Sequence, residues 1–257
     1  MKNKFVILGS GSSLGVPRID GDFGKCDPKN KKNFRTRCCA YFKFNNLNFL
    51  IDTSPDLRFQ LLQNKIFDVN YVFYTHAHAD QCHGINDLRA FSIKYKKKLN
   101  VYADNETRKL LLSTFNYCFE DKSGYPAILK MNRLKTKHKF FTNNKKIIIQ
   151  PIMTQHGPIK SASYLINDSI FYGSDVSKIY EKDLKKLTNL KYFIIDCLRY
   201  DSHPSHYNLD DVINLVNRIK PKKTILTNLH SSLDYNELKK KVSKNVIPAY
   251  DGLSFLF

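Results

Sequence analysis

The 257-residue sequence predicts an α/β fold with sheets and helices stacked in layers. Three observations predict it: paired strands early in the chain, βα alternation late, and no Pro/Ser/Gly-rich linker or internal repeat between them. One domain over residues 1–257 is the expected organisation. The 42% hydrophobic content is enough to bury a full core at this length.

Phe5–Gly9 reads as the first strand, and Ala40–Phe44 with Leu47–Asp52 as a hairpin around Asn45-Asn46. Ser54-Pro55-Asp56 has the cap, proline and early acid of a helix start, followed by Leu57, Leu61 and Leu62. Tyr71–Tyr74 is a strand and Ile85–Ile93 a short amphipathic helix. Val101-Tyr102 ends a strand before a helix opening near Asp104-Asn105. Residues 116–144 form the least regular stretch. Strands recur at Ile147–Met153, Tyr164–Ile166, Ile170–Tyr172, Tyr192–Asp196 and Thr224–Leu226, with helices near Leu209–Ile219 and Tyr235–Val242.

Composition excludes several classes. The apolar runs, such as Tyr192–Cys197, are strand-sized, so no membrane span is expected. The apolar core near the N-terminus is shorter than the roughly 7–15 residues of a secretory signal, which favours a cytoplasmic location. The six cysteines (26, 38, 39, 82, 118 and 197) contain no C-x-x-C pair, so reduced, buried thiols are expected and no structural zinc on cysteines. Net charge is 42 − 23 = +19. That suits an anionic partner such as nucleic acid. Yet Lys outnumbers Arg 33 to 9 and Asn reaches 23, a mixture that AT-rich coding also produces. Gly9, Gly11 and Gly15 have the wrong spacing for a dinucleotide fingerprint, and Val16-Pro17 follows where a helix should open.

Chemistry concentrates where strands end. The apolar strand at 71–74 runs into Thr75-His76-Ala77-His78-Ala79-Asp80, three ligands spaced by two residues with small residues between them. Such spacing brings two imidazoles and a carboxylate to one ion. His156, Asp175 and His230 each follow a further apolar strand. Singly, each reads as a core histidine or a cap. Together they place ligand-type residues on the rim of a sheet, where α/β proteins bind their ligands.

His76-x-His78-x-Asp80 followed by His156, Asp175 and His230 resembles the metallo-β-lactamase fold, a four-layer αββα sandwich, across nearly the whole chain. Gly9–Pro17, Leu50–Arg58, and Asp196-Cys-Leu-Arg199 with His203-Pro-Ser-His206 are similar to the branch of PhnP-type cyclic phosphodiesterases and, more distantly, to ribonuclease Z. The resemblance implies two divalent ions, zinc or manganese. His76, His78 and His156 hold the first, Asp80 and His230 the second, and Asp175 bridges. It also implies that Asp52 orders the loops, that Asp80 orients a water, and that His206, with His203 second in line, protonates the leaving oxygen. The family's next histidine is Gln81 here, a weaker ligand for zinc, so the second site is expected to be weaker. His83 is expected to order the loop rather than ligate.

The expected activity is metal-dependent hydrolysis of a small or cyclic phosphodiester. Alternatives are an RNA-processing nuclease of the ribonuclease Z type and a metal-binding relative without enzymatic activity. The expected partner is a phosphorylated small molecule, with nucleic acid and a second copy of the chain left open and no membrane. Lys25–Arg37, six positive residues against one acid, is expected either to rim the site or to be a solvated loop.

Overall fold

The computed structural model describes residues 3–122 and 124–257. The strands begin with β1 (Lys4–Gly9), β2 (Cys39–Phe44), β3 (Leu47–Ile51), β4 (Tyr71–Phe73), β5 (Leu99–Ala103), β6 (Leu129–Arg133) and β7 (His138–Thr142). They continue with β8 (Lys145–His156), β9 (Ile159–Ile166), β10 (Ile170–Gly173), β11 (Tyr192–Asp196), β12 (Lys223–Thr227), β13 (Val246–Pro248) and β14 (Ser254–Leu256). The α-helices are α1 (Leu57–Gln63), α2 (Ala79–Cys82), α3 (Arg89–Tyr95), α4 (Asn105–Thr114), α5 (Asn116–Phe119), α6 (Glu181–Leu184), α7 (Leu209–Ile219) and α8 (Tyr235–Lys241).

The strands form two seven-stranded sheets, β14-β1-β2-β3-β4-β5-β6 and β13-β12-β11-β10-β9-β8-β7. Alternation along each strand builds the layers, because successive side chains point to opposite faces. Phe5 and Ile7 of β1 join Phe42, Phe49, Phe73, Tyr164, Tyr172 and Ile194 in the core between the sheets. Val6 and Leu8 face outward with Leu57, Leu61, Phe91 and Leu111 from α1, α3 and α4. On the second sheet, Phe193 and Ile195 pack outward on Val212, Leu215, Val216 and Ile219 of α7 and Leu238 of α8. The result is a four-layer αββα sandwich, as the sequence predicts. Among the described residues no helix is long and apolar enough to cross a membrane.

The hairpin, the strands and α7 stand where the sequence predicts them. Residues 116–144 depart from expectation, holding α5 and the two strands β6 and β7. Each lies at the edge of its sheet, where one side is wet and the apolar alternation is diluted by Lys130, Arg133 and Lys139. β8 and β9 are also longer than the apolar pattern suggests, pairing from Ile149–Ile166 out to His156–Ile159. The predicted helix at Ile85–Ile93 divides into a 3₁₀ turn over Ile85–Leu88 and α3. All six cysteines are buried and free. Cys39 Sγ donates to the Asp52 carbonyl and Cys26 Sγ to that of Ser231.

Candidate active site

Parallel pairing aligns the strand ends that carry the predicted residues. Ile51 of β3 sits opposite Phe73 of β4, so Asp52 and Thr75-His76 emerge side by side. Gly173 of β10 pairs with Ile195 of β11, and Asp196 with Thr227 of β12, which brings out Asp175, Asp196 and Asn228 together. His156 closes β8.

Asp52 is buried and has a left-handed backbone, φ 67°. Its Oδ1 accepts from the Thr75 backbone N–H at 2.7 Å and its Oδ2 from Thr75 Oγ1 at 2.9 Å. Having donated to Asp52, Thr75 Oγ1 accepts from Nδ1–H of His76, 3.0 Å away, which leaves His76 Nε2 bare. His156 Nδ1–H donates to the Ser205 carbonyl at 2.8 Å, baring Nε2 there as well. His78 Nδ1 lies 2.9 Å from His76 Nε2 and 3.4 Å from His156 Nε2. Burial, reinforced by the neighbouring imidazoles, holds His76 well below the usual histidine range. Burial takes His156 down to about 4. Both rings are therefore neutral at pH 7.

Three ring nitrogens thus converge with, at most, one proton to share. A single proton bridges one pair of them, whereas a cation satisfies all three. Tetrahedral zinc, at about 2.0–2.1 Å from each nitrogen, spaces its ligands by about 3.3 Å. The donor set fits one divalent ion.

The ligand loop is fastened to the loop after β3. Thr53 N–H donates to the Gln81 carbonyl at 2.8 Å, and Gly84 N–H to the Thr53 carbonyl at 2.9 Å. A Cβ at Gly84 would stand 2.0 Å from the Ser54 carbonyl oxygen, so this close approach requires glycine.

A second group of possible ligands joins His156, Asp175 and His206. His206 Nδ1–H donates to Asp196 Oδ2 at 2.6 Å, and Asn228 Nδ2 donates to Asp196 Oδ1 at 3.2 Å. Burial lowers the His206 imidazolium, but the Asp196 charge and hydrogen bond outweigh it and carry the ring up to about 9. Asp196 itself is pushed up to about 6 by burial, against the pull of His206. Both shifts agree with a buried imidazolium–carboxylate pair. His203 Nδ1 accepts from the Ser205 N–H at 3.2 Å, which places the remaining ring proton on Nε2.

Asp80 and His230 lie outside both ligand groups but line the same cavity of about 350 Å³, with His78, His156, Asp175 and His206. Arg199, Ser12 and His203 also line it. Gln81 is buried, with its amide toward Asp80 and Asp175. The His83 ring instead packs edge-on against Phe115, with centroids 5.4 Å apart. Residues 25–37 do not reach this cavity. Lys31, Arg35 and Arg37 line a neighbouring one, and Arg35 is buried. Asp196 and Asn228 carry no predicted role, although Asp196 has the signal that singled out Asp175, an acid closing an apolar strand.

Residues 47–228 match the family model described as a beta-lactamase superfamily domain. The chain is 28% identical over 253 residues to an octanoyltransferase of Porphyromonas gingivalis, covering 96% of this chain and 50% of that one. It therefore spans half the length of that curated relative. It is also similar to the crystal structure of a diphosphatase of the PhnP family. There the TM-score is 0.90 and the identity 28%, over 100% of this chain and 98% of the other. The human short-form tRNase Z shares the fold at a TM-score of 0.70 and 14% identity, over 98% of each chain.

Proposed function

The chain belongs to the beta-lactamase superfamily, and from that premise we propose that it is a metal-dependent hydrolase that cleaves a small or cyclic phosphodiester. The observation that carries this reading is the three-nitrogen nest of His76, His78 and His156 beside the His206–Asp196 couple in one cavity. The 28% likeness along the whole chain to a PhnP-family diphosphatase supports a phosphorus ester as substrate.

His76, His78 and His156 would hold zinc or manganese. When bound, such an ion polarises a phosphoryl oxygen and makes water a nucleophile near neutral pH. The remaining work falls to the chain. Asp80 accepts a hydrogen bond from the attacking water and orients it. His206, charged at neutral pH through Asp196, gives its Nε2 proton to the leaving oxygen. Its Nδ1–H stays with Asp196, which fixes the ring. Arg199, tethered by the carbonyls of Asp201 and Ser202, offers a positive charge to the phosphoryl oxygens at the cavity wall. His203 presents Nε2–H beside His206, the ring centroids 5.0 Å apart.

The test is hydrolysis of bis-p-nitrophenyl phosphate, then of cyclic phosphates, by protein loaded with zinc or manganese and purified without a histidine tag. Turnover that disappears in His78→Ala is expected. No turnover with either ion, or turnover indifferent to His78→Ala, would overturn the reading.

One observation favours the second reading, an RNA-processing nuclease. A cavity of about 700 Å³ beside α3 is lined by Arg89, Lys96, Lys97, Tyr117 and Tyr125, cations interleaved with rings as in single-strand binding sites. Tight, salt-dependent binding of single-stranded RNA, lost in Tyr125→Ala, would raise that reading above the first.

A further inference from the structure

In the second-ion half of the site, every side chain expected to hold an ion is already engaged by a donor of the chain itself. Gln81 Nε2 donates to Asp175 Oδ2 at 2.9 Å and to Asp80 Oδ2 at 3.2 Å, so one amide spans both carboxylates. Gln81 is fully buried, and its Oε1 has no hydrogen-bond partner among the described residues. This orientation of the amide is the cheaper one. Reversed, it would set a third acceptor against two carboxylates and bury an NH₂ group with nothing to receive it.

The same holds 149 residues away along the chain, at the third expected ligand. Arg18 Nη2 lies 3.2 Å from His230 Nε2. Ser232 N–H lies 3.2 Å from Nδ1 and, like the guanidinium, can only donate, so the single lone pair of the neutral ring serves one of the two, and with either tautomer the guanidinium fills the place beside Nε2. A second ion at His230 Nε2 would have to displace this positive charge. Arg18 is held in turn by Asp22, whose carboxylate is 3.1 Å from Nη1. The nest of His76, His78 and His156 involves neither Gln81 nor Arg18.

We infer that Gln81 and Arg18 stand in place of the second cation, so that this chain holds one divalent ion tightly, at His76, His78 and His156, and a second far more weakly. The amide neutralises no charge but ties the two carboxylates together, and the guanidinium supplies one positive charge beside His230. Loss of a ligand or of its outer support weakens metal binding by about 10–100-fold. Here both kinds of change act on one site. The inference rests on the metal-centre reading above, and the experiment separates the two.

Stripped protein is titrated with zinc and with manganese by calorimetry, and ions per chain are counted by elemental analysis after dialysis. Wild type is compared with Gln81→His, with Gln81→His/Arg18→Ala, and with Gln81→Glu should the histidine variants fail to fold. One retained ion is expected for wild type, with the second binding step at least about 100-fold weaker than the first. Gln81→His should tighten that second step by tenfold or more, with the first unchanged, and removing Arg18 should tighten it again. Two wild-type ions of affinity within tenfold of each other would overturn the inference while leaving the metal-centre reading intact. So would a second step that none of the folded variants moves. Absence of any bound ion in wild type and variants would overturn both.

Discussion

The Asp196 carboxylate receives Nδ1–H of His206 at 2.6 Å, across ten residues of chain, and Asn228 holds the other carboxylate oxygen. That couple keeps the ring charged, so its strength should be visible in the pH dependence of turnover. A group that donates a proton is active below its pKa, and activity should fall as pH rises through the His206 value. Asp196→Asn removes the charge that raises it. The alkaline limb should therefore move to lower pH, and kcat should fall by about 10²–10⁴-fold. A pH–rate profile of the metal-loaded variant checks this. A limb that stays in place would assign the proton to another group.

Ion-free protein should lose stability between pH 6.5 and 8.5. Burial, reinforced by the Asp80 charge, pushes the Asp175 carboxyl up to about 8, and burial drives Asp52 well above the carboxylate range. A carboxyl raised in the folded state stabilises it at low pH, and that stability is lost as pH rises through the folded value. His76 and His156, lowered by burial, act in the opposite direction, but only below the unfolded histidine pKa of about 6.5. Thermal melts with chelator should show a Tm falling across this window, and added zinc should flatten the fall. A Tm rising with pH would contradict the assignment.

Gly84→Ala should cost about 1–3 kcal/mol, the range for forcing a methyl into a packed contact. The 2.0 Å approach to the Ser54 carbonyl leaves the ligand loop no room to relax without moving Gln81 and His78. Urea denaturation and zinc titration should therefore change together in this variant. A loss of stability at undiminished zinc affinity would uncouple the two loops.

Arg35 is buried and ties its own loop to the turn at 230–233. Nη2 donates to the Leu233 carbonyl at 2.6 Å and to Asn33 Oδ1 at 3.0 Å, and Nη1 to the His230 carbonyl at 3.2 Å. Arg35→Met strands buried acceptors, each worth about 1–3 kcal/mol when left without a donor. A lower denaturation midpoint is expected, together with a weaker hold on His230. Arg35→Lys, with fewer donors and no planar fork, should recover only part of the loss.

The gathering of candidate residues was legible in sequence wherever a ligand-type side chain directly follows an apolar strand. His76, His78, His156, Asp175 and His230 all announce themselves in that way, and all face one cavity or lie beneath it. Relations formed across the fold were not legible. Arg18 meets His230 from 212 residues away, and Asp196 meets His206 only because α7 begins immediately after the turn that holds the ring. The direction of the Gln81 amide depends on two carboxylates supplied by different sheets. In the fold, β6 and β7 escaped notice because a half-wet edge strand lacks the apolar alternation that marks β1 or β11.

Those edges give part of the +19 charge a purpose that requires no ligand. An open strand edge invites another strand to add to it, and native sheets discourage this with short edges, lysines and proline. Both sheets do so at both ends. β13 and β14 are three residues long, and β13 ends in Pro248. β6 carries Lys130 and Arg133, and β7 carries Lys139. A neighbouring molecule that offers its own strand therefore meets like charge or a run too short to pair. Protection against fibrous self-adhesion is built into the same positions that make the chain basic.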